Sequence, residues 1–146
     1  MTAPDIGTMR DAIQARLATL PAPLRAYDVF DENVTLPQAV VVYPKSPARE
    51  FWLGHPSCSI VYNFTLEIYV DCQAGSVRAQ NTMDAFLSPT GTNTNSIENC
   101  LEDRTTADDL TTYTTSVKVD PFTSYGFRAE GVLVAAVPVE VFCDNS

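Results

Sequence analysis

His55 is the only histidine in the 146-residue chain, and it stands between Gly54 and Pro56. A hydrolytic triad would have to pass through that one imidazole, and no Gly-x-Ser-x-Gly elbow or other nucleophile signature accompanies it. It is read instead as a solvated or interface loop residue. Asp28, Asp31, Glu32, Glu98, Glu102, Asp103, Asp108 and Asp109 are the acids that could hold Ca²⁺ or form a catalytic pair. None shows the alternating Asp/Asn spacing with a central Gly and a terminal Glu that an EF-hand loop requires, so they are expected on solvated turns and helix faces. Cys58, Cys72, Cys100 and Cys143 are far apart, with no CxxC or Cys/His ligand spacing, and are expected as reduced thiols. Gly91, Gly126 and Gly131 are isolated, which excludes a phosphate-cradling loop. The residues nominate no catalytic, cofactor or metal site, and the chain is read as a protein that is not an enzyme.

Charge narrows the classes further. The formal net charge is −9 and the pI about 4.3, so a nucleic-acid partner would gain little from counterion release. Tyr62, Phe64 and Tyr69 follow a strand period and read as packing rather than as a base-stacking platform. The Met1 to Asp5 start lacks a basic n-region and an apolar h-region, and no apolar run approaches the ~18 residues of a membrane span. A soluble protein of a reducing cytoplasm, without membrane contact, is the expectation. A chain of this length can bury about 68–70% of its unfolded surface, so one domain needs neither disulfides nor metal.

The strongest structural signal runs from Ser59 to Asp71. Ile60, Tyr62, Phe64, Leu66, Ile68 and Val70 alternate with more polar residues at the two-residue period of a strand. Such a strand spans roughly 40 Å, about twice the usual length, and is expected in the interior of a sheet. Gly75 and Ser76 break it, and Ala79, Met83, Phe86 and Leu87 then mark one helical face. Before it, Pro4 and Asp5 open a helix with the stripe Ile6, Met9, Ile13, Leu17 and Leu20, which ends at Pro21. Strands are expected at Leu24 to Phe30 and Leu36 to Tyr43. The three prolines and glycine of the stretch from Pro44 to Pro56 suggest an extended loop or arm at about 44–57. Asn95 and Glu98 suggest a capping box for a short helix carrying Ile97, Cys100 and Leu101. Alternation at Tyr113, Thr115, Val117 and Val119 suggests a strand, and a last one is expected from about Phe127 to Phe142, with Pro138 at a bulge or an unpaired edge position. The expected class is therefore α+β: a single mostly antiparallel sheet with helices packed mainly on one face, in one domain over 1–146.

Taken in order, these pieces resemble the tail terminator (tail completion) proteins of long-tailed phages with non-contractile tails, especially phages of actinobacteria. The resemblant segments are Arg10 to Leu17, Leu36 to Val42, Tyr62 to Val70, Arg78 through Leu87-Ser-Pro-Thr-Gly91, Ser96-Ile97 with Leu101-Glu102, and Gly131 to Phe142. The Thr92 to Asn95 turn is longer than the family pattern, and the Phe51 to His55 stretch is not aligned with it. The resemblance implies a structural virion subunit at the head-tail junction, assembled in the host cytoplasm. Its partners would be itself, in a hexameric ring, the tail tube protein and the head-tail connector protein, with DNA passing through the ring without specific binding. Another head-tail joining or tube-like virion protein, or a small cytosolic ligand-binding module, are the other readings. Phe51, Trp52, Leu53 and His55 are the expected interface residues, because adjacent aromatics in a loop of this length are poor candidates for solvent exposure; the alternative reading is that the arm folds back and Trp52 covers the open face of its own sheet.

Overall fold

The computed structural model describes residues 4–21, 24–27, 38–52, 59–72, 75–89, 94–128 and 131–143. The order along the chain is α1 (Ile6–Leu17), β1 (Arg25–Tyr27), β2 (Gln38–Trp52), β3 (Ser59–Asp71), α2 (Ser76–Phe86), α3 (Ile97–Glu102), α4 (Asp109–Tyr113), β4 (Ser116–Val119), β5 (Ser124–Arg128) and β6 (Val132–Cys143). The strands form one sheet in the order β1-β2-β3-β6-β4, and β5 shares the β4 flank of β6. The β1–β2 pair is parallel and the other pairings are antiparallel. The fold is α+β.

β3 lies between β2 and β6 along its length. Its alternation decides which face carries the core: Ile60, Tyr62, Phe64, Leu66, Ile68 and Val70 all join one buried cluster, with Val40 and Val42 of β2 and Leu133, Ala135, Val137, Val139, Val141 and Cys143 of β6. Met9, Ile13 and Leu17 of α1, Ala79, Met83 and Phe86 of α2, Ile97 and Leu101 of α3, and Leu110 of α4 complete that cluster. The helices therefore share one face of the sheet. The opposite face buries a smaller group, Val41, Tyr69, Val132 and Val134. The unbroken valines of β2 thus serve both faces.

Several elements depart from the sequence-based expectation, each for a local reason. Residues 44–52, expected as a loop or arm, are strand. Pro44 stands opposite Phe64 and Arg49 opposite Tyr62, so the residues between them bulge across from Asn63. A bulge on an outer strand is where Pro47 can sit without forfeiting a ladder bond. Asp5 caps α1, its carboxylate accepting the Thr8 N–H at 2.7 Å, so Pro4 lies outside the helix. The cap of α3 is Ser96, not Asn95: its Oγ accepts the Asn99 N–H at 3.2 Å and donates to the Ser88 carbonyl at 2.6 Å. Tyr113, expected to open a strand, instead closes a helical turn, Asp109–Tyr113, capped by Asp108. The expected last strand is two strands, because Gly131 takes φ +76° and turns β5 into β6. Pro138 lies where β4 has ended and β5 has not begun: its carbonyl accepts the Asp120 N–H at 3.0 Å, so its missing donor faces that gap. Leu24 begins as expected next to β1, while 28–30 and 36–37 lie outside the described residues.

The helical layer is locked by one side chain. Arg16 occupies an apolar-stripe position of α1 and is 2% exposed. Its Nε and Nη2 grip Asp108 at 2.6 Å each, Nη1 donates to the Cys100 and Asp103 carbonyls at 2.9 Å, and Nη2 donates to Thr111 Oγ1 at 2.8 Å. All five guanidinium donors are satisfied. Arg16 holds the Asp108 carboxyl down to about 2, below its ordinary 3.8. A depressed carboxyl contributes stability that is present above its unfolded value and lost as pH falls through the folded one. Thermal melts of the wild type should therefore lose stability between about pH 4 and pH 2, and Asp108→Ala should cost about 3–5 kcal/mol at neutral pH, by leaving the guanidinium buried without its anion, while flattening that acid limb.

Candidate assembly surface

Two constellations of ionisable groups were candidates for chemistry, and the structure shows how each is occupied. At the Arg16 junction every polar atom of the guanidinium is engaged, and the nearby Cys100 thiol donates to the Arg16 carbonyl at 3.3 Å. Burial pushes that thiol up, against the smaller pull of the Thr19 hydroxyl and Arg16, which keeps it protonated and a poor nucleophile. Asp103 accepts from Thr105 and Thr106 hydroxyls at 2.7 Å, and these bonds hold its carboxyl well below the usual range. Glu102 accepts the Val119 N–H at 3.1 Å, tying α3 to β4. The expectation of solvated acids thus fails at Asp108 and Glu102, which serve as ties within the fold.

The second constellation lies on the face away from the helices. Tyr43 donates to Glu67 Oε1 at 2.5 Å and Tyr69 donates to Oε2. The Arg128 guanidinium lies 3.8 Å from Glu67 Oε2 and 5.4 Å from the centre of the Tyr69 ring. Burial, reinforced by the Glu67 carboxylate, pushes the Tyr43 phenol up to about 12 and raises Tyr69 as well. Both phenols stay protonated at neutral pH, so the group offers no phenolate nucleophile, and each Glu67 carboxylate oxygen accepts a hydrogen bond from a phenol. Its effect is to clamp β2, β3 and β5 across the sheet. Among the described residues, no group of three His, Cys, Asp or Glu side chains is arranged to hold a metal, and no helix is long and apolar enough to cross a membrane. Cys72, Cys100 and Cys143 are thiols, and Cys58 lies outside the described residues.

The sheet does leave surfaces that fit association. β1 pairs with β2 only at Ala39, Val40 and Val41. Among the described residues, no strand lies beside β2 past that point on the side away from β3, nor on the outer side of β4 and β5. Unpaired strand edges are templates for another chain. On the β4–β5 flank, Phe122 and Phe127 are each 49% exposed, and Phe122 lies 5.8 Å, ring centre to ring centre, from Tyr125. Tyr125 is itself fixed to α2 by a 3.0 Å bond to Asp84.

Of the expected interface residues, Phe51 and Trp52 lie at the end of β2, opposite Ile60 and Ser59 in the ladder. Leu53 and His55 lie outside the described residues. The structure places Phe51 and Trp52 on the distal part of a strand rather than on a loop, where β2 has no strand on its outer side among the described residues, and it adds the β4–β5 flank, which the sequence reading missed. The signal there was the Phe122-Thr-Ser-Tyr125-Gly-Phe127 run, with aromatics just after Pro121. Compared with known families and curated proteins, the chain matches no family model and no curated protein.

The clamp makes a spectroscopic prediction. In an alkaline titration followed by phenolate absorbance, Glu67→Gln should lower the Tyr43 midpoint from about 12 toward the ordinary value of 10. It should stop short of that value, because burial, the larger cause, remains. An unchanged titration would mean that the carboxylate does not engage the phenols.

Proposed function

We propose that this chain is a structural subunit of a phage tail, a terminator that closes into a ring at the head-proximal end of the tube, hexameric as the family resemblance implies. The observation that carries the reading is the pair of sheet flanks without strand partners among the described residues, on a chain whose segments, apart from the Thr92 to Asn95 turn and the Phe51 to His55 stretch, resemble the terminator proteins in order. A surface that presents one edge at each flank favours head-to-tail contacts between identical copies, and these close into rings when the rotation permits. The two constellations of ionisable groups are engaged in holding helices to one another and strands across the sheet.

In this role the ring stops addition of tube protein and offers its other face to the head connector. The net charge of −9 fits a conduit that DNA traverses without adhering, since like charge suppresses non-specific contact. The subunit belongs, on this reading, to the virion tail at the head-tail junction. Negative-stain microscopy of the purified protein, alone and mixed with tube protein, tests it. Closed rings, and tubes whose growth halts when the protein is added, are expected. Long tubes formed by the protein alone would assign it to the tube-like class, and monomers that leave tube growth unchanged would contradict the proposal.

A further inference from the structure

Between the end of α2, the start of α3 and the corner where β4 passes toward β5 lies a cleft of about 260 Å³. Phe86, Ile97 and Val137 are its buried apolar floor, and Phe122 stands half exposed on its rim. The charged residues that line it, Glu98 and Asp120, are both acids. Asp120 has Lys118 3.4 Å away; the lysine is 63% exposed and the acid 26%, so the pair is worth little against a better-placed partner. The volume falls below the ~300–1,000 Å³ of small-molecule sites and suits a bulky side chain better than a metabolite. A fitting occupant therefore combines an aromatic group with nearby positive charge.

We infer that the occupant is the distal part of β2, Lys45 to Trp52, of a second copy of this chain. That segment carries Lys45 and Arg49 followed by Phe51 and Trp52; successive strand residues belong to opposite faces, so it offers one aromatic at a time for the floor, with a cation for the acidic rim. It lies on the stretch of β2 that β1 leaves uncovered. It does not reach the cleft of its own chain, because the ladder holds Phe51 and Trp52 opposite Ile60 and Ser59, with β3 and β6 between them and β4. Donor and acceptor surfaces therefore differ, and the contact is head-to-tail. Opposite local charges let copies of a strongly acidic protein approach in one orientation and not in others. This inference rests on the ring reading and names the joint between its subunits.

Charge exchange in the full chain tests it, with oligomeric state read by light scattering after size exclusion. The Lys45→Glu, Arg49→Glu variant and the Glu98→Lys, Asp120→Lys variant should each need about tenfold or more protein for half-assembly, because each places like charges across the joint. An equimolar mixture of the two should assemble as the wild type does, since every joint then pairs opposite charges again. Recovery on mixing also excludes misfolding as the cause of the loss. If rings form in both variants as readily as in the wild type, or if mixing restores nothing, the cleft assignment is overturned while the ring reading stands. A wild type that stays monomeric at every concentration overturns both.

Discussion

A guanidinium buried to 2% exposure must find a partner for every donor, and in this chain that requirement brings three helical segments to one point. Arg16 of α1 reaches the α3 carbonyl of Cys100, the Asp103 carbonyl just beyond that helix, and both Asp108 and Thr111 at α4. Asp108 in turn caps α4 by accepting the Thr111 N–H at 3.1 Å. Short helices such as α3 and α4 are marginal by propensity alone. Here they are held because a buried charge would otherwise lack its anion and its carbonyls, a situation that costs several kcal/mol. Arg104 adds a second brace, donating to Thr114 Oγ1 at 2.6 Å and to the Thr114 carbonyl at 2.5 Å.

With the helical layer fixed in this way, the sheet beneath it can be long without being enclosed. β3 is flanked along its length, and Tyr62, fully buried, donates to the Pro4 carbonyl at 2.5 Å, anchoring the entry to α1. On the far face the Tyr43–Glu67–Tyr69 bonds join β2 to β3, and Arg128 extends the contact to β5. Internal ties thus converge on the middle of the sheet and on one helical corner. Among the described residues, the outer side of distal β2 and the β4–β5 flank carry no further strand, which connects the packing of the fold to the proposed ring.

The core was legible because it depends on period. The β3 alternation, the α1 stripe and the single parity of Leu133 to Cys143 each require only that apolar residues share a face, and all three faces are buried. What the sequence hid depends on distant partners. Arg16 reads as a charged interruption of an apolar stripe until Asp108, far along the chain, is seen to meet it. The Thr111 to Tyr113 run has the composition of a strand, yet it lies in a helical turn that Asp108 caps and that ends at Thr114, where Arg104 binds. Prolines between 44 and 52 suggested a loop, since composition does not reveal that the strand is an outer one where a bulge can hold Pro47. The cleft beneath Phe122 combines residues from α2, α3, β4 and β6 with the β4–β5 corner, so no single stretch of sequence signals it.

The central claim is that a helical layer locked by Arg16 leaves assembly to the sheet's flanks. Amide hydrogen exchange, compared at protein concentrations below and above assembly, addresses it directly, because it reads each element separately. Exchange should slow on assembly at Lys45 to Trp52 and around Phe122, while α1 and α4 keep the protection they had as monomer. Protection gained mainly in α1 and α4, with the flanks unchanged, would contradict the account.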